Sequence, residues 1–347
     1  MKQIQQTPDA MVINGVTRFG HFRTPFRKIN LADAKIPGMP RALRSVRLKE
    51  WTHVGLIHPE AYFGFVINTC HYLGMSFAYM FDRASGEYFE HERISPLAMN
   101  VKLAETLWDD MSYFRLPGHR IDNHNLLEEG RFDFDIDVKK KDGAPAMKGK
   151  VSLFEDAAEM QPLIVSLPLG ANRTMYSHKA ALPVEGSLNF GGREFGFERG
   201  RDIGIIDVHK AYYPYNTWWR WATCAGYDAE GRLVGINLTK NLLVGDPDKN
   251  NENGLWVGGR LSLLGGVSIE FDEKDVLKPW RMKTRDGRAD LVFKPEGERH
   301  GKVNAGPIMS DYHQPFGTFS GFAIDDDGTR HEFNDYYGVT EYHVTRW

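Results

Sequence analysis

Residues 206–240 read IDVHKAYYPYNTWWRWATCAGYDAEGRLVGINLTK, which is a pattern of strand, turn and second strand. Three of the eight tryptophans, Trp218, Trp219 and Trp221, crowd the strand before the turn at Asp228–Gly231. The glycine of that turn supplies the positive φ that a tight hairpin needs. Large aromatic side chains on a half-buried strand, with ionisable groups among them, are typical of a binding cavity, and a hydrophobic core is the alternative.

Similar turns recur along the chain, each between segments rich in aromatic and β-branched residues. They are Asp82–Gly86, Gly191-Gly192, Asp228–Gly231, Asp286-Gly287 and Asp325–Gly328. A glycine after aspartate, or a glycine pair, marks a hairpin between antiparallel strands. The repeated turns therefore predict an all-β, antiparallel protein with few short helices.

The length of 347 residues exceeds one typical core, so two domains are expected. Residues 130–150 are charged and rich in turns, and a strand pattern restarts at Val151. We expect an N-terminal domain of residues 1–160 and a C-terminal domain of residues 161–347. The best helix candidate is 95–111, where Ser95 and Pro96 match a helix start and Leu103, Leu107 and Met111 form one stripe.

Bulk properties exclude several classes of protein. The net charge of −3 gives no reason to expect nucleic acid as a partner. No window approaches the roughly 20 apolar residues of a transmembrane segment, and MKQIQQTPDAMV lacks the apolar core of a signal peptide. Cys70 and Cys224 are far apart and form no recognisable disulfide framework. A reducing, cytoplasmic location is the expectation.

Motifs for cofactors and metals are not recognisable. His53 and His58 are spaced like His119 and His124, and neither pair has a carboxylate or cysteine at an established ligand spacing. The glycine-rich stretches do not open a helix after a strand, as phosphate-binding loops do. We therefore expect no metal and no organic cofactor.

Carboxylates near aromatic residues are the more informative class. Asp207 follows the apolar run IGII and precedes the tryptophan strand, and Glu252 lies between two asparagines before Trp256. Burial raises the pKa of a carboxyl group, which can then donate a proton near neutral pH. Asp202 and Asp311 are also candidates, although an aspartate beside a turn usually caps backbone amides. A purely structural hydrogen-bonding role is equally open for Glu252.

The sequence does not decide the surroundings of His178 or which face of the tryptophan strand is buried. His178, with Lys179 after it, fits an exposed loop, and alternatively an acid or base at the mouth of a barrel. Side chains alternate along a strand, so Trp219 and Trp221 share one face and Trp218 and Arg220 the other. Either face could line an interior.

The order of several motifs resembles the domain-of-unknown-function 2804 family. The motifs are NRTMYSHKAALPVEGSL, IIDVHKAYYPYNTWWRWA, GINL, NENGLWVGGRL, DLVFKPEGERH, SDYHQPFGTFSG and YYGVTEYHVTRW, with RLKEW and FGFVI earlier in the chain. The family is similar in architecture to double lipocalin-like β-barrels such as carotenoid hydratases and tocopherol cyclase. The resemblance implies two lipocalin-like barrels and an extended apolar substrate. It identifies no catalytic residue, because no stretch matches the motifs of those enzymes.

The leading hypothesis is a cofactor-independent enzyme acting on an apolar, isoprenoid or lipid-like small molecule. Acid catalysis would hydrate, isomerise or cyclise the substrate, with Asp207 or Glu252 as the acid and His178 as an auxiliary base. The expected substrate-binding residues are Trp218, Trp219, Trp221, Trp256, Arg220 and Asn237. A non-catalytic carrier of hydrophobic ligands and a carbohydrate-active or carbohydrate-binding protein are the alternatives.

Overall fold

The computed structural model describes residues 3–347 and is almost entirely β, with 61% of residues in strands and one α-helix. The prediction of an all-β protein is confirmed. The strands before residue 212 are β1 Ile4–Gln5, β2 Val12–Ile13, β3 Val16–Thr17, β4 Gly20–Phe22, β5 Lys49–Ile57, β6 Ala61–Thr69, β7 Leu73–Asp82, β8 Tyr88–Pro96, β9 Val101–Lys102, β10 Asp110–Leu116, β11 His119–Leu126, β12 Arg131–Val138, β13 Met147–Phe154, β14 Leu163–Gly170, β15 Arg173–Phe190, β16 Arg193–Phe197 and β17 Ile203–Ala211.

The later strands are β18 Asn216–Tyr227, β19 Leu233–Asn241, β20 Gly254–Val257, β21 Arg260–Leu263, β22 Val267–Glu270, β23 Trp280–Thr284, β24 Ala289–Ala305, β25 Ile308–Ile324 and β26 Arg330–Arg346. The α-helix is α1 Arg41–Arg47, and short 3₁₀ helices occupy Leu31–Asp33 and Leu127–Glu129. No helix in the described part of the chain is long and apolar enough to cross a membrane.

The first sheet is a nearly closed barrel with the strand order β8-β7-β6-β5-β17-β15-β13-β12-β11-β10-β9. Strand β17 lies in its middle, between β5 and β15, and all nine of its residues are buried. A strand that is buried on both faces explains the continuous apolar run IGII at its start. The same strand ends with charged and polar side chains, including Asp207 and His209, which the sheet also buries.

The second sheet is a half-barrel with the order β21-β20-β19-β18-β26-β25-β24-β23-β22. One of its faces carries a hydrophobic cluster that includes Ala222, Cys224, Trp280, Phe293 and Phe319. Trp219 and Trp221 alternate with Ala222 along β18 and therefore lie on the opposite face, where they are also buried. The sheet is thus buried on both faces along its central strands.

All the predicted hairpins are present. The turns at 82–86, 191–192, 228–231, 286–287 and 325–328 connect β7 to β8, β15 to β16, β18 to β19, β23 to β24 and β25 to β26. At Gly231 and Gly328 the backbone has φ values of 75° and 82°, a region that glycine enters without steric cost.

The predicted helix at 95–111 is wrong. Ser95 pairs with Gly74 in the ladder between β7 and β8, and β9 and β10 occupy much of the remaining segment. Leu103 and Leu107 are buried from an irregular connection, which produces the same apolar spacing as a helical stripe. The actual helix, Arg41–Arg47, buries no residue, so it left no apolar periodicity in the sequence.

By their internal contacts, the described residues form two compact units that divide between Tyr212 and Tyr213. One unit holds 4–166 and 171–212, and the other holds 213–347 together with Leu167–Gly170. This division differs from the boundary predicted near residue 160. The reason is that β15 and β17, which follow that position, pair with β13 and β5 in the first sheet.

Candidate functional site

The middle of the first sheet gathers polar side chains on one face. Asp207 on β17 lies directly opposite His53 on β5 and Lys179 on β15. Two positions further, His209 lies opposite Trp51 and Ser177. Residues opposite each other on paired strands project to the same side. The polar face is therefore formed by Trp51, His53, Ser177, Lys179, Asp207 and His209.

Asp207 is an ionised carboxylate in these surroundings. Its Oδ1 lies 3.1 Å from Nζ of Lys179, and its Oδ2 accepts a 3.1 Å hydrogen bond from Nε1 of Trp51. Burial by itself would raise the pKa of Asp207, but the charge of Lys179, with His209 and the Trp51 bond, outweighs burial and holds the pKa below its usual value. This is the opposite of the protonated acid expected from the sequence, because the sequence did not reveal the ammonium partner.

The two histidines of this face are neutral. Burial lowers the pKa of His53 to about 4 and that of His209 to about 3, although the carboxylate of Asp207 acts in the opposite direction. The ring of His209 stacks on Trp51 with centroids 4.0 Å apart, and its Nδ1 is hydrogen-bonded to Ser177 Oγ at 2.6 Å. The face thus combines an ion pair with neutral imidazoles, each of which has one ring nitrogen that can accept a hydrogen bond.

His178 occupies a different place from the one expected. It lies within β15, is fully buried, and projects to the face opposite Lys179. Its Nε2 is bound to Oε2 of Glu155 at 2.7 Å, and the ring of Phe132 meets it edge-on. The exposed loop is therefore wrong as a description of this position, because strand β15 runs through it, and a role of His178 as an acid or base stays a prediction.

The second sheet has its own buried carboxylate, which the sequence did not single out. Glu341 on β26 accepts hydrogen bonds from Nε1 of Trp219 at 2.7 Å, from the Tyr312 hydroxyl at 2.6 Å and from Nε2 of Gln314 at 2.8 Å. His343 packs edge-on against Trp219, with centroids 4.2 Å apart. Donors from three side chains hold this carboxylate in a fixed orientation on the face opposite the hydrophobic cluster.

Trp221 and Asn237 extend that face. Nε1 of Trp221 donates to Oδ1 of Asn237 at 2.6 Å, and the amide of Asn237 donates in turn to the backbone oxygen of Glu252. The side chain of Glu252 is buried, with Nδ2 of Asn241 3.4 Å from its Oε2. Trp256 is buried beside them, since its strand pairs with the strand of Asn237.

Trp218 and Arg220 lie apart from this group. They project to the other face of β18, where Arg220 forms an ion pair with Glu273 at 2.5 Å and its guanidinium lies 5.1 Å from the ring of Phe271. Their contacts are those of a partly exposed edge of the hydrophobic cluster. The structure therefore separates Trp218 and Arg220 from Trp219 and Trp221.

Two aspartates named from the sequence have other surroundings. Asp202 accepts from the backbone of Glu198 at 2.7 Å and from Arg201, as an aspartate that closes a turn does. Asp311 lies with His300 and His313, and their ligand atoms are all within 4.8 Å of one another. This is the group of described residues with the composition of a metal site.

Comparison with known proteins supports the fold. The family model for a domain of unknown function, number 2804, matches residues 2–347. A crystal structure of CghA aligns over 100% of this chain and 97% of its own, with a TM-score of 0.55 and 10% identity. CghA with Sch210972 aligns over 86% of this chain and 88% of its own, with a TM-score of 0.54 and 9% identity. At this identity the likeness concerns the fold alone. No curated protein sequence matches this chain.

Proposed function

This chain belongs to the domain-of-unknown-function 2804 family, and we propose from its geometry that it is an acid–base enzyme acting on an apolar, isoprenoid or lipid-like small molecule. The reaction is an isomerisation, hydration or cyclisation in which a proton moves without an organic cofactor. The observation that carries the proposal is the buried ion pair of Asp207 and Lys179 between neutral His53 and His209.

A buried ion pair contributes little net stability to a sheet. Removing two charges from water costs several kcal/mol for each ion, and apolar residues of similar volume often stabilise a protein as well or better. Titratable groups with strongly shifted pKa values cluster at functional sites. The pair, together with two buried neutral imidazoles on one face, therefore supports a catalytic role over a purely structural one.

The ionised state of Asp207 makes it a base in the resting enzyme. Its carboxylate can remove a proton from a carbon beside a double bond. Because Lys179 keeps the pKa of Asp207 low, the carboxylic acid formed in that step is a strong donor and can return the proton to another atom of the substrate. One proton is removed from the substrate and one is returned to it, so no oxidant or reductant is needed.

The tryptophans support an apolar substrate over a carbohydrate. Open, flat tryptophan platforms suit sugars, whereas Trp219, Trp221 and Trp256 are 8%, 3% and 1% exposed. The structure of CghA with Sch210972 supports ligand binding by a protein of this fold. As a separate proposal for the second sheet alone, Trp219, Trp221, Trp256 and Asn237 form an apolar binding surface, and Trp218 and Arg220 have no more than an indirect role.

The test uses purified protein and a panel of isoprenoid alcohols and unsaturated lipids, with products followed by mass spectrometry in D₂O. Wild-type protein should form a product of equal or water-added mass that gains deuterium, and Asp207→Asn should lose turnover by roughly 10²–10⁴-fold with binding retained. Parallel Glu252→Gln and His178→Gln variants test the other two proposed catalytic residues. Binding without any product, by wild type and Asp207→Asn alike, would establish a carrier instead.

A further inference from the structure

The long hairpin of β24 and β25 places two histidines and an aspartate together. His300 lies directly opposite His313, and Asp311 is two residues before His313 on the same face of β25. Nε2 of His300 is 3.2 Å, and Nε2 of His313 is 3.4 Å, from the same oxygen, Oδ1 of Asp311. The two imidazole rings are stacked, with centroids 4.1 Å apart. Three ligand atoms of metal-binding type thus converge on one point.

We propose that His300, Asp311 and His313 bind a divalent transition metal ion through these atoms, with Zn²⁺ as the best match. Two imidazole nitrogens and one carboxylate oxygen form a ligand set of borderline softness, which suits Zn²⁺ better than the hard ions Mg²⁺ and Ca²⁺. Three protein ligands leave at least one coordination position for water. The partial exposure of the group gives the ion a route from solvent.

Glu298 supplies the support that metal-binding histidines usually have. Its Oε2 lies 2.8 Å from Nδ1 of His313, so the imidazole donates its Nδ1 proton to this carboxylate. Nε2 is then the ring nitrogen that faces Oδ1 of Asp311, at 3.4 Å. A carboxylate that orients a histidine in this way is common at metal sites.

Lys302 defines how Asp311 would bind. Its Nζ lies 2.6 Å from Oδ2 of Asp311, which leaves Oδ1 for the metal and makes the aspartate a monodentate ligand. The positive charge of Lys302 weakens cation binding, so moderate affinity is expected. The site is built on two paired strands of regular register, and such strands fix ligands more precisely than loops do.

The site lies on one face of the second sheet, and Glu341 lies on the other. Tyr312 and Gln314 alternate with Asp311 and His313 along β25, and they hold Glu341 on the other face. A bound metal would therefore stabilise β25, the strand whose Tyr312 and Gln314 donate to Glu341. From the sequence we expected no metal, because ligand spacings within one segment do not reveal residues that oppose each other across a hairpin.

The test uses tag-free protein stripped with chelator, titrated with Zn²⁺ by calorimetry and with Co²⁺ by visible absorption. We expect one equivalent of Zn²⁺, a cobalt spectrum typical of mixed nitrogen and oxygen ligands, and a rise in Tm on adding Zn²⁺. His300→Ala and His313→Ala should abolish the rise in Tm. The conservative Glu298→Gln should weaken binding by about 10–100-fold.

His331→Ala is the matched control, because His331 also pairs with an aspartate, Asp325 at 2.9 Å, on the same sheet but without a second histidine. It should bind Zn²⁺ like the wild type. Circular dichroism checks that each variant is folded. Failure of wild-type protein to bind Zn²⁺ saturably would overturn the proposal, and so would equal binding by folded His300→Ala and His313→Ala.

Discussion

Nζ of Lys179 lies 3.1 Å from Oδ1 of Asp207, and both side chains are buried on the same face of the first sheet. Two neighbouring strands, β15 and β17, place them directly opposite each other. Each charge compensates the desolvation of the other, so the two residues act as one unit in stability and in protonation. This relationship changes the expected role of Asp207 from acid to base.

The first prediction concerns the stability of this pair. Asp207→Asn and Lys179→Met should each lower the free energy of unfolding by about 3–5 kcal/mol, because each leaves the other charge buried without its counter-ion. The double variant should lose clearly less than the sum of the two. Urea unfolding of the set measures the coupling.

The control for the pair is the exposed ion pair of Arg260 and Asp327, at 2.7 Å. Asp327→Asn should change the free energy of unfolding by less than about 1 kcal/mol, as is usual for surface pairs. Strictly additive effects of Asp207→Asn and Lys179→Met would show that the two charges are not coupled.

The second prediction concerns stability at acid pH. Burial lowers the pKa of His53 to about 4 and those of His119, His209 and His343 to about 3. Below about pH 6.5 the unfolded chain binds protons that the folded protein does not, so the free energy of unfolding must fall as the pH falls towards 4. The slope is about 1.4 kcal/mol per pH unit for each such histidine.

Urea unfolding at intervals from pH 7.5 to 4.5 measures this slope. His119→Gln removes one of the titrating groups, and it should reduce the slope by about one proton. Below about pH 4 the carboxylates with lowered pKa values, such as Asp207, add a further loss as they take up protons. A stability that does not change between pH 6.5 and 4.5 would contradict the burial of these histidines.

The residues of the tight turns allowed most of the fold to be predicted. Every hairpin marked by Asp and Gly was found, since a tight turn requires positive φ at a defined position and this requirement is visible in the sequence. The prediction of a helix at 95–111 was wrong because Leu103 and Leu107 are buried from a loop. Apolar spacing alone does not distinguish such a loop from a helix with one buried face. Helix Arg41–Arg47 buries no side chain, so its pattern carried no signal.

The candidate site was predictable only in part. Asp207 stood out because it follows a fully apolar run, and alternation along the strand also selects His209. Its partner in the ion pair, Lys179, lies on another strand, and neither segment has a sequence pattern that predicts the pairing of β15 with β17. Glu341 was missed for the same reason, because its donors Trp219 and Tyr312 come from two other strands.

The third prediction concerns the donors to Glu341. Trp219→Phe removes a 2.7 Å hydrogen bond to the buried side chain of Glu341, and the expected loss is about 1–3 kcal/mol of stability, because a buried oxygen loses a donor. Tyr312→Phe should cost a similar amount. The control is Trp108→Phe, where Nε1 donates to the neutral backbone oxygen of Pro25 at 3.3 Å, and a smaller loss is expected. Thermal unfolding ranks the three, and an equal or greater loss in Trp108→Phe would contradict the prediction.

The last prediction distinguishes a base from an acid at Asp207. A base must be ionised to act, so kcat/KM of the wild type should be constant over the whole pH range in which the protein is folded, because the lowered pKa of Asp207 lies below that range. An acid would give the reverse, with activity lost as the pH rises through the pKa.

In Lys179→Met the burial remains and the cation is gone, so the pKa of Asp207 should rise and the acidic limb should move to higher pH, within the range where the protein is folded. Arg260→Met, which removes an exposed cation, should leave the limb in place. The measurement is the pH dependence of kcat/KM for the substrate found by mass spectrometry, and a Lys179→Met profile with no acidic limb in the pH range where that variant is folded would rule out Asp207 as the titrating base.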